Sequence, residues 1–452
     1  MSSPAPAATE RAVWMGRAPG RLDLMGGNVD YTGGLVFQAT IREATWAVVE
    51  RREDDRILLH NPQVSERGWR DSAEFSLASL TTPEAVRAQV NRTPELRWTA
   101  YALGNFLLLK LRHPEQVTTG ANVFIRSDVP LNKGVSSSAA LEVAVMKTAA
   151  RAYGIDLAGA DLAGACQWVE NVIAESACGI MDQMAVALGD EGSILPLLCQ
   201  PCQPRPLVRL PEDLRCWGVD SGVSHAVTGV EYEAARAAAF MGYKLVCDWE
   251  GLAVEEDHSG AVPRFTDPVW NGYLANIPPS VFRSRYEHML PETLSGAQFL
   301  EEAQAHVDPF TRVREEMEYR IRANTRYAVE ENARVRLFAE LARGGQGFEE
   351  MGELMFQSHW AYTECGLGNE ATDLVVELVR NAGATNGLYG AKVTGGGAGG
   401  TVAVLGHKDA HELFQRVVAR YGEMRGFTPY VFEGSSPGAD RFGVERVQPP
   451  AG

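Results

Sequence analysis

The chain has 452 residues, more than one hydrophobic core comfortably fills, and 45% of them are hydrophobic against 22% charged, an ordinary soluble-globular balance. A formal net charge of -16 repels nucleic acid over most of the surface, yet a nucleotide can still be held by backbone amides, one or two cations and a metal. The longest apolar runs, such as Phe106 to Leu109, fall far short of a bilayer span.

Residues 1–10 carry Pro, Ala and Ser with no apolar signal-peptide core, and read as a loose tail. The stretch from Arg17 to Gly34 reads as a polar, glycine-rich loop between apolar strands, with Arg21, Asp23, Asn28, Asp30 and Tyr31 on it. It suits a hydroxyl-rich ligand and equally an ordinary surface turn. Strands are expected at Arg42 to Glu50, Arg56 to Leu59 and Ala121 to Arg126. Helical spacing runs from Trp98 to Arg112, Ala139 to Tyr153 and Asp161 to Ala174.

Between the last of those strands and the second helix lies a turn of Asn132, Lys133 and Gly134. It leads through Val135 into Ser136, Ser137 and Ser138 and then into strong helix formers. Serines at a helix start are first of all caps. A helix N-terminus after a glycine turn is also an anion site, because free amides and the helix dipole both favour phosphate. Three serines exceed what one cap requires. The chain has no Gly-x-x-x-x-Gly-Lys-Ser/Thr and is no P-loop enzyme.

Cys199 and Cys202 form a lone Cys-x-x-Cys without a second pair of ligands. Seven cysteines in all fit reduced thiols and a cytoplasmic setting. A proline-rich stretch from Pro201 to Pro211 marks the expected boundary between a first domain, 11–210, and a second, 211–452. The second opens with a strand at Cys216 to Val219 and a helix near Tyr232 to Cys247. A long irregular region follows, from Trp249 to about Phe310. Helices come next at Arg326 to Ala342 and Glu349 to Gln357, and then strands flanking the run Gly395-Gly396-Gly397-Ala398-Gly399-Gly400. That run formally matches a dinucleotide fingerprint, but strand, not helix, follows it. Without regular βαβ spacing, the pattern predicts α+β layers and no doubly wound sheet.

The three loops, in this order, resemble the three motifs of the GHMP kinase superfamily. Gly20-Arg-Leu-Asp-Leu-Met-Gly26 with Asp30-Tyr31 is similar to the galactokinase signature, as are Gly179-Ile-Met-Asp-Gln183 and Glu170-Asn171. Closer still is the resemblance to the L-arabinokinase subfamily, carried by Met25-Gly-Gly27, Gly218-Val-Asp-Ser-Gly222, Cys365-Gly-Leu-Gly368 and Phe432-Glu-Gly-Ser-Ser-Pro-Gly438. The resemblance implies an N-terminal domain like ribosomal-protein S5 domain 2, a C-terminal ferredoxin-like domain, and an active site in the cleft between them.

It further implies an ATP-dependent sugar 1-kinase, with Asp182 as the base for the anomeric hydroxyl and Arg21 beside it. Gly27, Asn28, Asp30, Tyr31 and Tyr232 would meet the sugar, although Tyr232 is equally readable as a core aromatic. ATP would be held by Asn132 to Ser138, by Gly395, Gly396 and Gly397, and by Trp98, which helix spacing alone reads as core. Lys133 is as readable as a solvated loop lysine. Mg²⁺ would sit between the phosphates, Ser138 and Glu170.

Galactokinases carry Glu-His where this chain has Gly27 and Asn28, which implies a lost contact at the far end of a hexose and favours L-arabinose. Galactose, another sugar such as a uronate, and a non-catalytic sensor are the alternatives. The intact Ser136-Ser-Ser-Ala-Ala140 speaks against the last. No nucleic-acid or membrane partner is expected, and a monomer is compatible with the sequence.

Overall fold

Two long antiparallel strands, Val13–Met25 and Leu35–Arg51, carry the first half of the molecule. In the computed structural model, which describes residues 12–224, 229–257, 259 and 262–448, they form the centre of a mixed sheet. The expected tail at 1–10 lies outside the described residues. Ala121–Ser127 pairs beside Leu35–Arg51. Arg56–His60 joins it in parallel, and Ser72–Ser76 closes that edge. Ser193–Leu198 pairs with the opposite end of Leu35–Arg51.

Helices Thr99–Arg112, Ser137–Ala152, Gly159–Val172 and Met181–Leu188 pack together, with Ser137–Ala152 lying on the two central strands. Valine, leucine and alanine on these elements form one buried cluster. Removing that apolar surface from water is the main drive holding the layers together.

A second, four-stranded antiparallel sheet runs in the order Leu388–Val393, Thr401–His407, Leu214–Asp220, Val431–Glu433. Phe348–Cys365, Glu370–Ala382 and His411–Arg425 pack in its layer, and Trp217 stacks on Phe414 at 4.5 Å between ring centroids. The last strand, Val444–Val447, returns to the first sheet and pairs with Val13–Gly16. Both sheets carry helices, the layered α+β arrangement that the mixed spacing predicts.

One reading of the sequence needs correction. Arg17 to Gly34 is not a loop throughout: Arg17 to Met25 belong to the first strand, and the turn begins at Gly26. The polar side chains that mask this strand are buried and paired across the fold. Arg17 donates to Arg42 O and Ser436 Oγ, and Asp23 meets Lys392. Hydropathy read along one segment does not see such partners.

The irregular region after Trp249 acts as a backing for the first loop, residues 26–34. Ala275 N donates to Thr32 O, and Tyr273 lies against Gly33, where φ of 82° favours glycine. From further along the same region Asp308 reaches the buried Arg236, accepting from Nε at 2.8 Å and Nη2 at 2.7 Å. Arg236 in turn lies 5.0 Å from the Tyr31 ring centroid. Asp308→Ala strands that guanidinium in the interior, and the expected loss is about 3–5 kcal/mol. Denaturant unfolding checks this; an Arg236→Met/Asp308→Leu pair, which removes both charges, loses less than the single variant.

Candidate active site

The first strand is irregular at Pro19/Arg21, where its pairing with Leu35–Arg51 shifts register. Such bulges re-aim side chains, and here Arg21 N turns to donate to Val135 O at 3.1 Å. Gly20 is needed at this contact, because an added Cβ would press on Val135 O. The Arg21 guanidinium is 3% exposed. It donates from Nε and Nη2 to Asp182 at 2.8–3.0 Å, and from Nη1 to Gly134 O at 2.6 Å. Asp182 stands in the first turn of Met181–Leu188.

The serine loop, residues 132–138, is folded by three positive φ values: 59° at Asn132, 69° at Gly134 and 62° at Ser136. Left-handed backbone at two non-glycine residues costs energy and clusters at functional sites. Ser136 occupies the cap position of Ser137–Ala152 without capping it. Its hydroxyl instead donates to Asp182 Oδ2 at 2.6 Å. The free amides of that helix start are therefore left for a ligand.

Around this pair lies a cavity lined by Arg21, Asn28, Asp30, Asn132, Gly134, Ser136, Ser137, Ser138, Glu170, Asp182, Tyr232 and Gly396. Asp30 accepts from Tyr31 N at 2.9 Å and Met181 N at 3.3 Å. Burial, with Asp182 adding repulsion and Arg236 opposing, pushes its carboxyl up to about 6. Gly179 is essential to this packing, since a Cβ there would overlap the Asp30 carboxylate. Glu170 accepts from Gln183 Nε2 at 2.6 Å and from the Ser138 hydroxyl. Burial, with Asp182 adding repulsion, pushes it up to about 7. Behind it Glu142, wholly buried, is pushed up as well, by burial first and by Glu170 second.

Other expected residues fall outside this cavity. Tyr31 lies behind Asp30, edge-on to Tyr232 with ring centroids 6.2 Å apart. Val135 is core. Trp98 is buried, its indole N–H bonded to Arg70 O at 2.8 Å. Lys133 is no solvated lysine but pairs with Asp220 at 2.9 Å. It lines an open cleft of about 730 Å³ beside the serine loop, with Gln63, Arg67, Asp128, Pro130 and Leu131. Gly27 is turned away from the cavity, and Gly395 O accepts from Tyr362 Oη at 2.7 Å. Gly397 packs against Tyr362 and Leu367.

Sequence reasoning passed over Asp220, Gln183 and Lys392 as site neighbours. Gln183 and Asp220 stand inside the quoted stretches Gly179 to Gln183 and Gly218 to Gly222, which was the available signal; Lys392 lies in the strand before the glycine run, where nothing local marks it.

Ser138 and Glu170 offer hard oxygen donors, and the ionised form of Glu170 is disfavoured among other carboxyls, so a small dication fits there. Among the described residues no group of three or more His, Cys, Asp and Glu side chains could hold a metal unaided. Phosphate oxygens would have to complete the shell.

Three family descriptions match the chain: GHMP kinases N terminal domain at residues 100–190, galactokinase galactose-binding signature at 7–51, and GHMP kinases C terminal at 337–423. An L-arabinokinase of Arabidopsis thaliana is 34% identical over 97% of this chain, which spans 47% of that protein's length. A galactokinase of Chloroflexus aggregans is 31% identical over 91% of this chain and 89% of its own. Lactococcus lactis galactokinase, solved with galactose, superposes with a TM-score of 0.75 at 21% identity, covering 96% of this chain and 95% of the other. Methanococcus jannaschii mevalonate kinase gives 0.56 at 14% identity, covering 95% and 99%.

Raising the Asp30 carboxyl from 3.8 to about 6 means that the folded state binds an extra proton between those values. Wild-type stability relative to Asp30→Asn therefore falls as pH rises through that window and levels off above it. Urea unfolding of both proteins across the window checks this, and a pH-independent difference would contradict the buried placement.

Proposed function

Because this chain belongs to the GHMP kinase family, we propose that it transfers the terminal phosphoryl group of ATP to the anomeric hydroxyl of a free monosaccharide, preferring L-arabinose. The observation that carries this reading is the joining of Asp182, Arg21 and Ser136 beside an uncapped helix start in one cavity. Phosphoryl transfer through a loose transition state asks mainly for positioning and charge stabilisation, and these groups offer both.

In the proposed reaction the sugar oxygen attacks the terminal phosphorus, its proton passes to an Asp182 oxygen, and ADP leaves. Arg21 holds Asp182 oriented through its paired hydrogen bonds, and offsets negative charge on the transferring group. Amides of the serine loop and the start of Ser137–Ala152 hold the phosphates. Asn28, Asp30 and Tyr232 face the sugar. The nucleoside half fits the open cleft that Lys133 lines, which replaces Trp98 as the expected base neighbour. Ser138 and Glu170 would hold Mg²⁺, which neutralises phosphate charge when bound.

The sugar preference rests on the likeness to the Arabidopsis L-arabinokinase; Gly27, whose Cβ would meet Tyr362 and Asp23 and not the cavity, does not bear on it. Galactose is the second reading, favoured by the galactokinase signature at 7–51. Seven cysteines without a disulfide support a reducing compartment, the cytoplasm. Among the described residues no helix is long and apolar enough to cross a membrane.

Sugar-dependent ADP release by the purified protein tests the class, and kcat/KM for L-arabinose against galactose tests the preference. A higher value for galactose overturns the preference alone. Asp182→Ala is expected to lower turnover by about a hundred- to ten-thousandfold while ATP still binds. Retained turnover removes Asp182 from the base role.

A further inference from the structure

One buried cluster next to the cavity has no part in the reaction as proposed. Asp23 and Lys392 form an ion pair whose side chains are both 0% exposed. Lys392 Nζ donates to Asp23 Oδ2 at 2.6 Å and to Val393 O at 2.7 Å, while Gln38 Nε2 donates to Asp23 Oδ1 at 2.6 Å. The same carboxylate accepts from Gly27 N at 3.1 Å, and Asp23 N donates to Thr394 Oγ1 at 2.6 Å. Tyr362 covers the ammonium, its ring centroid 5.3 Å from Nζ, and its hydroxyl donates to Gly395 O at 2.7 Å. Tyr327 stands edge-on to Tyr362 and donates to Gly27 O at 2.6 Å.

The cluster therefore grips the backbone of Gly27 and Gly395. Each immediately precedes a residue that lines the cavity, Asn28 and Gly396. Asn28 Nδ2 reaches across to Gly396 O at 3.4 Å. The packing has no slack at Gly27, where a Cβ would overlap both the Tyr362 hydroxyl and the Asp23 carboxylate. For stability alone a buried ion pair is a poor device, since hydrophobic residues of equal volume often serve as well. For holding two loops in one register it is effective, because its hydrogen bonds have direction.

We propose that Asp23, Lys392 and Tyr362 form a latch of positioning residues that fixes the first loop against the glycine loop, residues 394–400, and so sets the approach of acceptor to donor. The inference rests on the kinase reading of the cavity. Asn28 and Asp30 stand on the acceptor side, Gly395 and Gly396 on the side of the transferred group. Misplacing reacting groups by about 1 Å costs on the order of a hundredfold in rate.

Two variants of the full chain test the latch. Tyr362→Phe removes one oxygen, and Asp23→Asn/Lys392→Met removes both charges with little change in volume. Each is assayed with Mg-ATP against L-arabinose and galactose, beside ATP affinity and thermal unfolding. The expected result is a fall in kcat of about ten- to a hundredfold for folded protein, with ATP affinity unchanged. Gly27→Ala, which forces the latch apart, gives the same pattern. Wild-type kcat in a folded variant overturns the proposal, and so does a lowered unfolding midpoint with kcat intact. Should the double variant not fold, Tyr362→Phe decides alone. Absence of turnover by wild type with every sugar offered sinks the kinase reading and the latch with it; loss of the latch alone leaves wild-type turnover standing.

Discussion

The contact between Arg21 and Asp182 is the constraint around which the candidate site is arranged. Two nitrogens of one guanidinium hold one carboxylate, and the third bonds to Gly134 O in the serine loop. A guanidinium this buried is tolerable only with its donors occupied, so strand, helix start and loop are fixed by one another. The bulge at Pro19/Arg21 and the left-handed Ser136 are the local distortions that allow it. Both are unfavourable taken alone, and both are outweighed by what they bring together.

Acidic crowding is the second feature. Asp30, Asp182, Glu170 and Glu142 influence one another strongly enough that burial and mutual repulsion raise three of them. Arg21 neutralises Asp182, Arg236 opposes the rise at Asp30, and Gln183 bridges the two glutamates. Glu142 Oε1 and Gln183 Oε1 remain buried without a hydrogen-bond partner. A site so rich in oxygen and short of cations suits a ligand that arrives with its own dication, as a nucleoside triphosphate does.

The first loop is held from two sides by different means. Behind it, the irregular region supplies Tyr273, Ala275 and Asp308, the last through the Arg236 ion pair. In front, the Asp23–Lys392 pair and Tyr362 tie it to the glycine loop. A loop of nine residues with four glycines is expensive to order by its own backbone. Dense tertiary contact offsets that entropy and leaves Asn28 and Asp30 in defined places.

Much of this was legible before any coordinates. Apolar periodicity placed the helices at 99–112, 137–152 and 230–250 to within a few residues, because helix spacing is a local property. The serine turn, the Gly179-to-Gln183 stretch and the glycine run were visible as motifs, since each concentrates unusual residues in a short span. The sequence alone therefore determined the α+β class, the kinase family and the loops that meet at the cavity. Only the tertiary structure decided that Arg17, Arg21 and Asp23 lie on a strand and that Ser136 bonds Asp182 instead of capping its helix. It alone decided that Trp98 is core and that the region after Trp249 braces a loop more than two hundred residues earlier. The physical reason is the same in each case: a buried polar group takes its partner from wherever the chain brings one. That partner is set by folding, and no local pattern of residues encodes it.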